Sequence, residues 1–192
     1  MKVLVMMTAV WVLAARAEEV PLAKTGSVTV CMDPDFYRSE IRSAQRVASK
    51  IFETIGLKID WREMSGCEPS ENALQISLSP QLAGKQPWKA FAYALPYEGN
   101  HIFVFYDQVQ KLDPQLRTNG LAYIMVHEVA HVLQAIARHS KCGIMKEIWD
   151  REDWFQIRVG HLRFAPEDVD LIYRGLAMRG RQLHSPTLMG GH

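Results

Sequence analysis

The chain has 192 residues, 48% hydrophobic and 22% charged, the balance of one ordinary globular domain with enough apolar material for a core. Its 22 basic and 21 acidic residues leave a formal net charge of +1 with no long run of one sign, so a nucleic-acid or membrane-surface role has no electrostatic support. Any chemistry must come from a local site.

The first residues read as a targeting segment. Lys2 supplies a positive start, Val3 to Ala14 form an apolar run broken only by Thr8, and Ala15-Arg16-Ala17 offers small residues where a signal peptidase inspects the chain. The run falls short of the roughly 20 residues that span a bilayer. Residues 1–17 are therefore expected to be a signal peptide, 18–179 a single domain and 180–192 a flexible tail, in a secreted or periplasmic protein that keeps no membrane attachment after cleavage. Export would let Cys31 and Cys67, at the ends of neighbouring predicted elements, pair as a disulfide and leave Cys142 over; three reduced thiols are the bland alternative.

Ser27 to Met32 reads as a strand. Ile41, Ala44, Val47, Ala48, Ile51, Phe52 and Ile55 then recur at three- and four-residue steps, one apolar stripe on a helix that Gly56 can stop. Leu57 to Trp61 and Ala73 to Leu78 are further strands, with a turn-like stretch between them from Ser65 to Asn72. A loop rich in Gly, Gln and Pro follows over Pro80 to Pro87. Ala90 to Leu95 is a short strand closed by Pro96, which suits an edge, and His101 to Tyr106 is a strong one. A polar connection through Asp113-Pro114 leads to a helix from about Thr118 to at least Gln134. Further helices begin near Asp150 and at Pro166-Glu167-Asp168, where proline and acids favour a first turn. This order predicts an α+β or mixed α/β layer with the second long helix packed under the sheet.

His127-Glu128-Val129-Ala130-His131 lies on that helix. Histidines four apart project from one face, where two neutral imidazoles can hold a single zinc ion. Glu128, one position along, can reach a water at the metal without being a ligand and act as general base. The structural alternative is two half-exposed histidines on an amphipathic helix, but Tyr123, Ile124, Val126, Val129, Ala130, Val132 and Leu133 make a helix that a core would bury. A catalytic site needs a third protein ligand and an open fourth position. His139 is the first candidate, yet a straight helix would carry it about 12 Å beyond His131. The helix must therefore stop between Gln134 and Ala137 and turn back, with no glycine there to ease the turn. Cys142 and the acids Glu147, Asp150, Glu152 and Asp153 remain rivals. His101, His161, His184 and His192 receive no role, and the five tryptophans read as core or groove filling.

His127-Glu128-x-x-His131, His139-Ser140 and Gly143-Ile144-Met145 together resemble the metzincin zinc peptidases, whose pattern is two helical histidines, a glycine, a third histidine and a methionine-bearing turn. The run from His127 through Arg138-His139-Ser140 to Met145-Lys146 is also similar to exported proteins of soil-type bacteria. The resemblance implies a zincin-like α+β fold, with a small, mostly parallel sheet and an antiparallel edge strand on an active-site helix and a backing helix. It implies one catalytic zinc on His127, His131 and His139, with Glu128 as base, Met145 as an apolar floor, and a peptide or protein substrate paired to the edge strand at Ala92, Tyr93 and Ala94. Two departures stand out: seven residues separate His131 from His139 where that pattern has five, and Gln134 replaces its glycine. The expected activity is peptide-bond hydrolysis. The alternatives are hydrolysis of a non-peptide amide, and an exported zinc protein without catalysis that binds a partner at the edge strand.

Overall fold

A computed structural model describes residues 26–33, 38–67, 73–79, 91–94 and 99–184. The signal-peptide segment, the loop over Pro80 to Pro87, both ends of the Ala90 to Leu95 strand and residues 185–192 lie outside the described residues. Five strands form one sheet: β1 (Gly26–Met32), β2 (Leu57–Glu63), β3 (Leu74–Ser79), β4 (Ala92–Ala94) and β5 (His101–Phe105), in the order β2-β1-β3-β5-β4. β1, β2, β3 and β5 run parallel, and β4 is antiparallel to β5 at the edge, opposite Ile102 to Val104. The fold class read from the sequence is the one observed.

The helices are α1 (Arg38–Glu53), α2 (Tyr106–Gln110), α3 (Pro114–Gln134), α4 (Arg151–Val159) and α5 (Pro166–His184). α1 buries the stripe Ile41, Ala44, Ala48, Ile51 and Phe52, and Gly56, at φ 80°, ends the turn that follows it. Val30, Leu74, Ile76, Ile102 and Val104 alternate inward along the strands to meet α1 and α3. α3 packs against α1, α4 and α5 as well as β4 and β5, so it is apolar nearly all round.

Four boundaries differ from expectation. Tyr106 does not extend β5; it is buried at the start of α2, and its hydroxyl donates to Glu40 at 2.5 Å. α3 starts at Pro114, because Asp113 caps it by accepting from the Gln115 N–H at 2.8 Å and Pro114 takes the first position, where no N–H is needed. β2 continues to Glu63, pairing in register with Met32 of β1. α5 runs through Gly180 to His184, into the stretch read as tail. Cys31 and Cys67 form a disulfide with Cα atoms 6.2 Å apart, and Cys142 is free and exposed. Among the described residues, no helix is long and apolar enough to cross a membrane.

Candidate metal centre

α3 places His127 and His131 one turn apart, with their Nε2 atoms 3.0 Å from each other. The helix then stops at Gln134, and Ala135 takes a left-handed conformation (φ 54°, ψ 30°) as its C-cap. The turn anticipated from the sequence is thus made without glycine, one residue past the glycine position of the metzincin pattern. The chain doubles back and brings the His139 Nε2 to 3.2 Å from that of His131. Zinc–nitrogen bonds of 2.0–2.1 Å at tetrahedral angles put ligand nitrogens about 3.3 Å apart. The two measured separations match that edge.

The protonation states suit a metal as well. The His127 Nδ1–H donates to the Ile144 carbonyl at 2.8 Å, which turns the Nε2 lone pair towards the other imidazoles. Burial pushes His127 down to about 3; His131 and His139 push the same way, and the Ile144 carbonyl opposes them. Burial likewise lowers His131 to about 4, reinforced by His139 and opposed by the Ile136 backbone. Both rings are therefore neutral at neutral pH, the form in which an imidazole can bind a metal. Three imidazoles are a borderline-soft donor set that zinc favours, and three protein ligands leave the fourth position for water or substrate. The donor set fits one zinc ion.

The rival ligands lie elsewhere. Cys142 is exposed and outside the cluster, and Asp150 and Asp153 both pair with Lys146, at 2.5 and 2.6 Å. Glu152 accepts from Gln156 at 2.7 Å. Glu147 lines the neighbouring cleft without joining the imidazoles. Among the described residues, His139 is the one that joins His127 and His131 in a cluster that could hold a metal ion.

Glu128 projects from α3 into the same space and is buried. Burial pushes its carboxyl up to about 8, against the pull of the Ala94 backbone N–H. His127, Glu128 and His139 border a cleft of about 490 Å³ whose apolar wall includes Phe91, Trp149 and Trp154. A smaller cleft of about 270 Å³ opens at the ends of β1 and β2, beside Met32 and Trp61, and contains none of the three imidazoles.

Met145 is fully buried in the turn that follows His139. The Ser140 N–H donates to the Met145 carbonyl at 2.7 Å and the Ile144 N–H to the Arg163 carbonyl at 3.0 Å. Gly143, at φ 78°, lets this turn approach residue 163 so closely that a Cβ would stand 2.4 Å from the Arg163 carbonyl oxygen. The turn's Ile144 carbonyl is the one that orients His127.

Of the three edge-strand residues, Ala92 lines the cleft and Ala94 meets Glu128 through its backbone. The Tyr93 side chain takes no part in the cleft. Strand alternation sends it to the other sheet face, where it stacks on Phe103 with ring centroids 5.1 Å apart. Two features of the site were not anticipated. Trp149 donates to the Ile144 carbonyl at 3.2 Å while forming cleft wall. Asp168, read only as an acid favouring a first helical turn, is fully buried; an acid at that position carries no mark in the sequence that separates an exposed case from a buried one.

Fold and site together describe a zincin-type α+β architecture carrying a three-histidine cluster that could hold a metal ion. Among solved structures, the chain is similar to a zinc-dependent peptidase from Methanocorpusculum labreanum (12% identity, TM-score 0.50, covering 76% of this chain and 99% of that one). Archaemetzincins from Methanopyrus kandleri (14% identity, TM-score 0.49, covering 82% and 99%) and from Archaeoglobus fulgidus, the latter complexed with malonate (12% identity, TM-score 0.49, covering 76% and 99%), also align with it. At these identities the likeness speaks to the fold. No family model matches the sequence, and no curated protein does.

Proposed function

We propose that this chain is an exported zinc-dependent peptidase in which His127, His131 and His139 hold the ion and Glu128 moves the proton. The observation that carries this reading is the convergence of three imidazoles, His131 lying at tetrahedral-edge spacing from both others, with a buried carboxyl beside them on the wall of an apolar cleft. Zinc at such a centre supplies Lewis acidity, acidifying water and polarising a scissile carbonyl. In its ionised form, which a neighbouring cation favours over the neutral form that burial alone imposes, Glu128 would accept a water proton on a carboxylate oxygen and return it to the departing amine. The Ala94 N–H fixes that carboxylate, and the Ile144 carbonyl fixes His127 in the tautomer that presents Nε2. Phe91, Trp149 and Trp154 exclude water and offer contact to an apolar side chain of a peptide. The outer edge of β4 supplies backbone groups for an extended substrate. Export is supported by the leader-like residues 1–17 and by the Cys31–Cys67 disulfide, which an oxidising compartment sustains.

The test is the zinc content of purified protein beside that of His139→Ala, followed by a peptide-cleavage screen with Glu128→Ala as control. One zinc per chain, lost or greatly weakened in His139→Ala, with cleavage abolished in Glu128→Ala, is the expected result. Zinc retained in full by His139→Ala would sink the ligand set. Zinc without cleavage of any peptide would leave the non-catalytic reading in its place.

A further inference from the structure

The spacing between His131 and His139 is longer than the metzincin pattern, and the turn between them uses alanine in a left-handed conformation. His139 itself is exposed, so the imidazole contacts alone give its backbone little support. The residues on either side of it are tied to one group. Asp168, in the first turn of α5, is fully buried, and its Oδ1 accepts from the Ser140 hydroxyl at 2.5 Å and from the Arg138 guanidinium at 3.2 Å. Arg138 also pairs with Glu167 at 2.6 Å, and the Gln134 side-chain amide reaches the Asp168 carbonyl at 3.5 Å. A carboxylate without solvent is costly unless paired, and here both its donors come from the loop that delivers His139.

We propose that Asp168 is a positioning residue for His139: it clamps the reversed chain from α5, doing for this long loop what a shorter, glycine-bearing turn does by geometry. The proposal rests on the three-histidine reading above. It predicts that Asp168 affects the metal through His139 and not through the fold at large.

Zinc affinity is measured by chelator competition for the parent chain, Asp168→Ala, His139→Ala and the double variant. Amide hydrogen exchange is followed over residues 138–146 and over α3 in the metal-free proteins. Asp168→Ala should weaken zinc about 10- to 100-fold, the range for groups that orient ligands. It should weaken it no further once His139 is alanine. Exchange at residues 138–146 should speed up while α3 stays protected, and Asp168→Asn, which keeps an acceptor oxygen, should recover part of both effects. If Asp168→Ala does not fold, Ser140→Ala removes one donor and should show a smaller loss in the same direction. Zinc affinity within twofold of the parent, or an undiminished Asp168 effect in the His139→Ala background, overturns the proposal. If the parent chain takes up no zinc, the metal reading falls and exchange alone decides: unchanged protection over 138–146 refutes the clamp, and lost protection upholds it.

Discussion

Replacing Glu128 by Gln in metal-free protein should change how stability depends on pH. Burial holds the Glu128 carboxyl near 8 against an ordinary value of 4.5. A folded-state pKa raised in this way gives a contribution that is whole below pH 4.5 and is lost as pH climbs through 8, because the unfolded chain releases its proton first. The full difference corresponds to about 5 kcal/mol at 1.36 kcal/mol per pKa unit, and about two-thirds of it is already lost by pH 7. Gln keeps an oxygen for the Ala94 N–H and has no proton to lose, so the variant should escape the penalty. His127 and His131 work in the opposite sense. Their lowered values cost stability as pH falls below 6.5, but they do so in both proteins and cancel in the difference. Denaturant unfolding in the presence of a chelator, at intervals from pH 5 to 8, provides the assay. Glu128→Gln should gain steadily on the parent chain as pH rises. A difference that stays flat over this range would refute the claim that the carboxyl is held neutral by burial.

Two further predictions concern the frame around the site. Ala135→Gly should stabilise the protein by about 0.5–1 kcal/mol, since relief of left-handed strain exceeds the added chain entropy; a lower thermal midpoint in the variant would contradict it. Reducing the Cys31–Cys67 disulfide, which closes a loop of sequence separation 36, should cost about 4 kcal/mol on the chain-entropy view, read as a lowered denaturant midpoint with thiol present.

The parts of this molecule that were legible in its sequence are those written in short-range periodicity. The stripe from Ile41 to Phe52 and the alternation in β1, β3 and β5 each recur within a few residues, and so do the paired histidines on α3. The need for the helix to end before His139 followed from helix rise alone, and Ala135 is where it ends. What escaped depended on contacts between distant segments. Tyr106 looks like one more β-residue until Glu40, 66 positions away, accepts a hydrogen bond from its hydroxyl. Asp168 looks like an ordinary acid at a helix start, and only the folding of residues 138–140 over it makes it a buried anchor. Asp113-Pro114 did carry a local signal, a cap followed by a first-turn proline, and reading it as a connection placed the start of α3 one turn late.

The Ile144 carbonyl has two donors, His127 on one side and Trp149 on the other. One oxygen atom thus joins an imidazole of the metal centre to the wall of the cleft. A molecule that pushes the indole aside disturbs the acceptor that aims the imidazole, and one that settles against it steadies the same acceptor. Any coupling that this shared acceptor carries between the cleft and the histidine cluster would be reciprocal, each ligand altering the other's dissociation constant by the same factor.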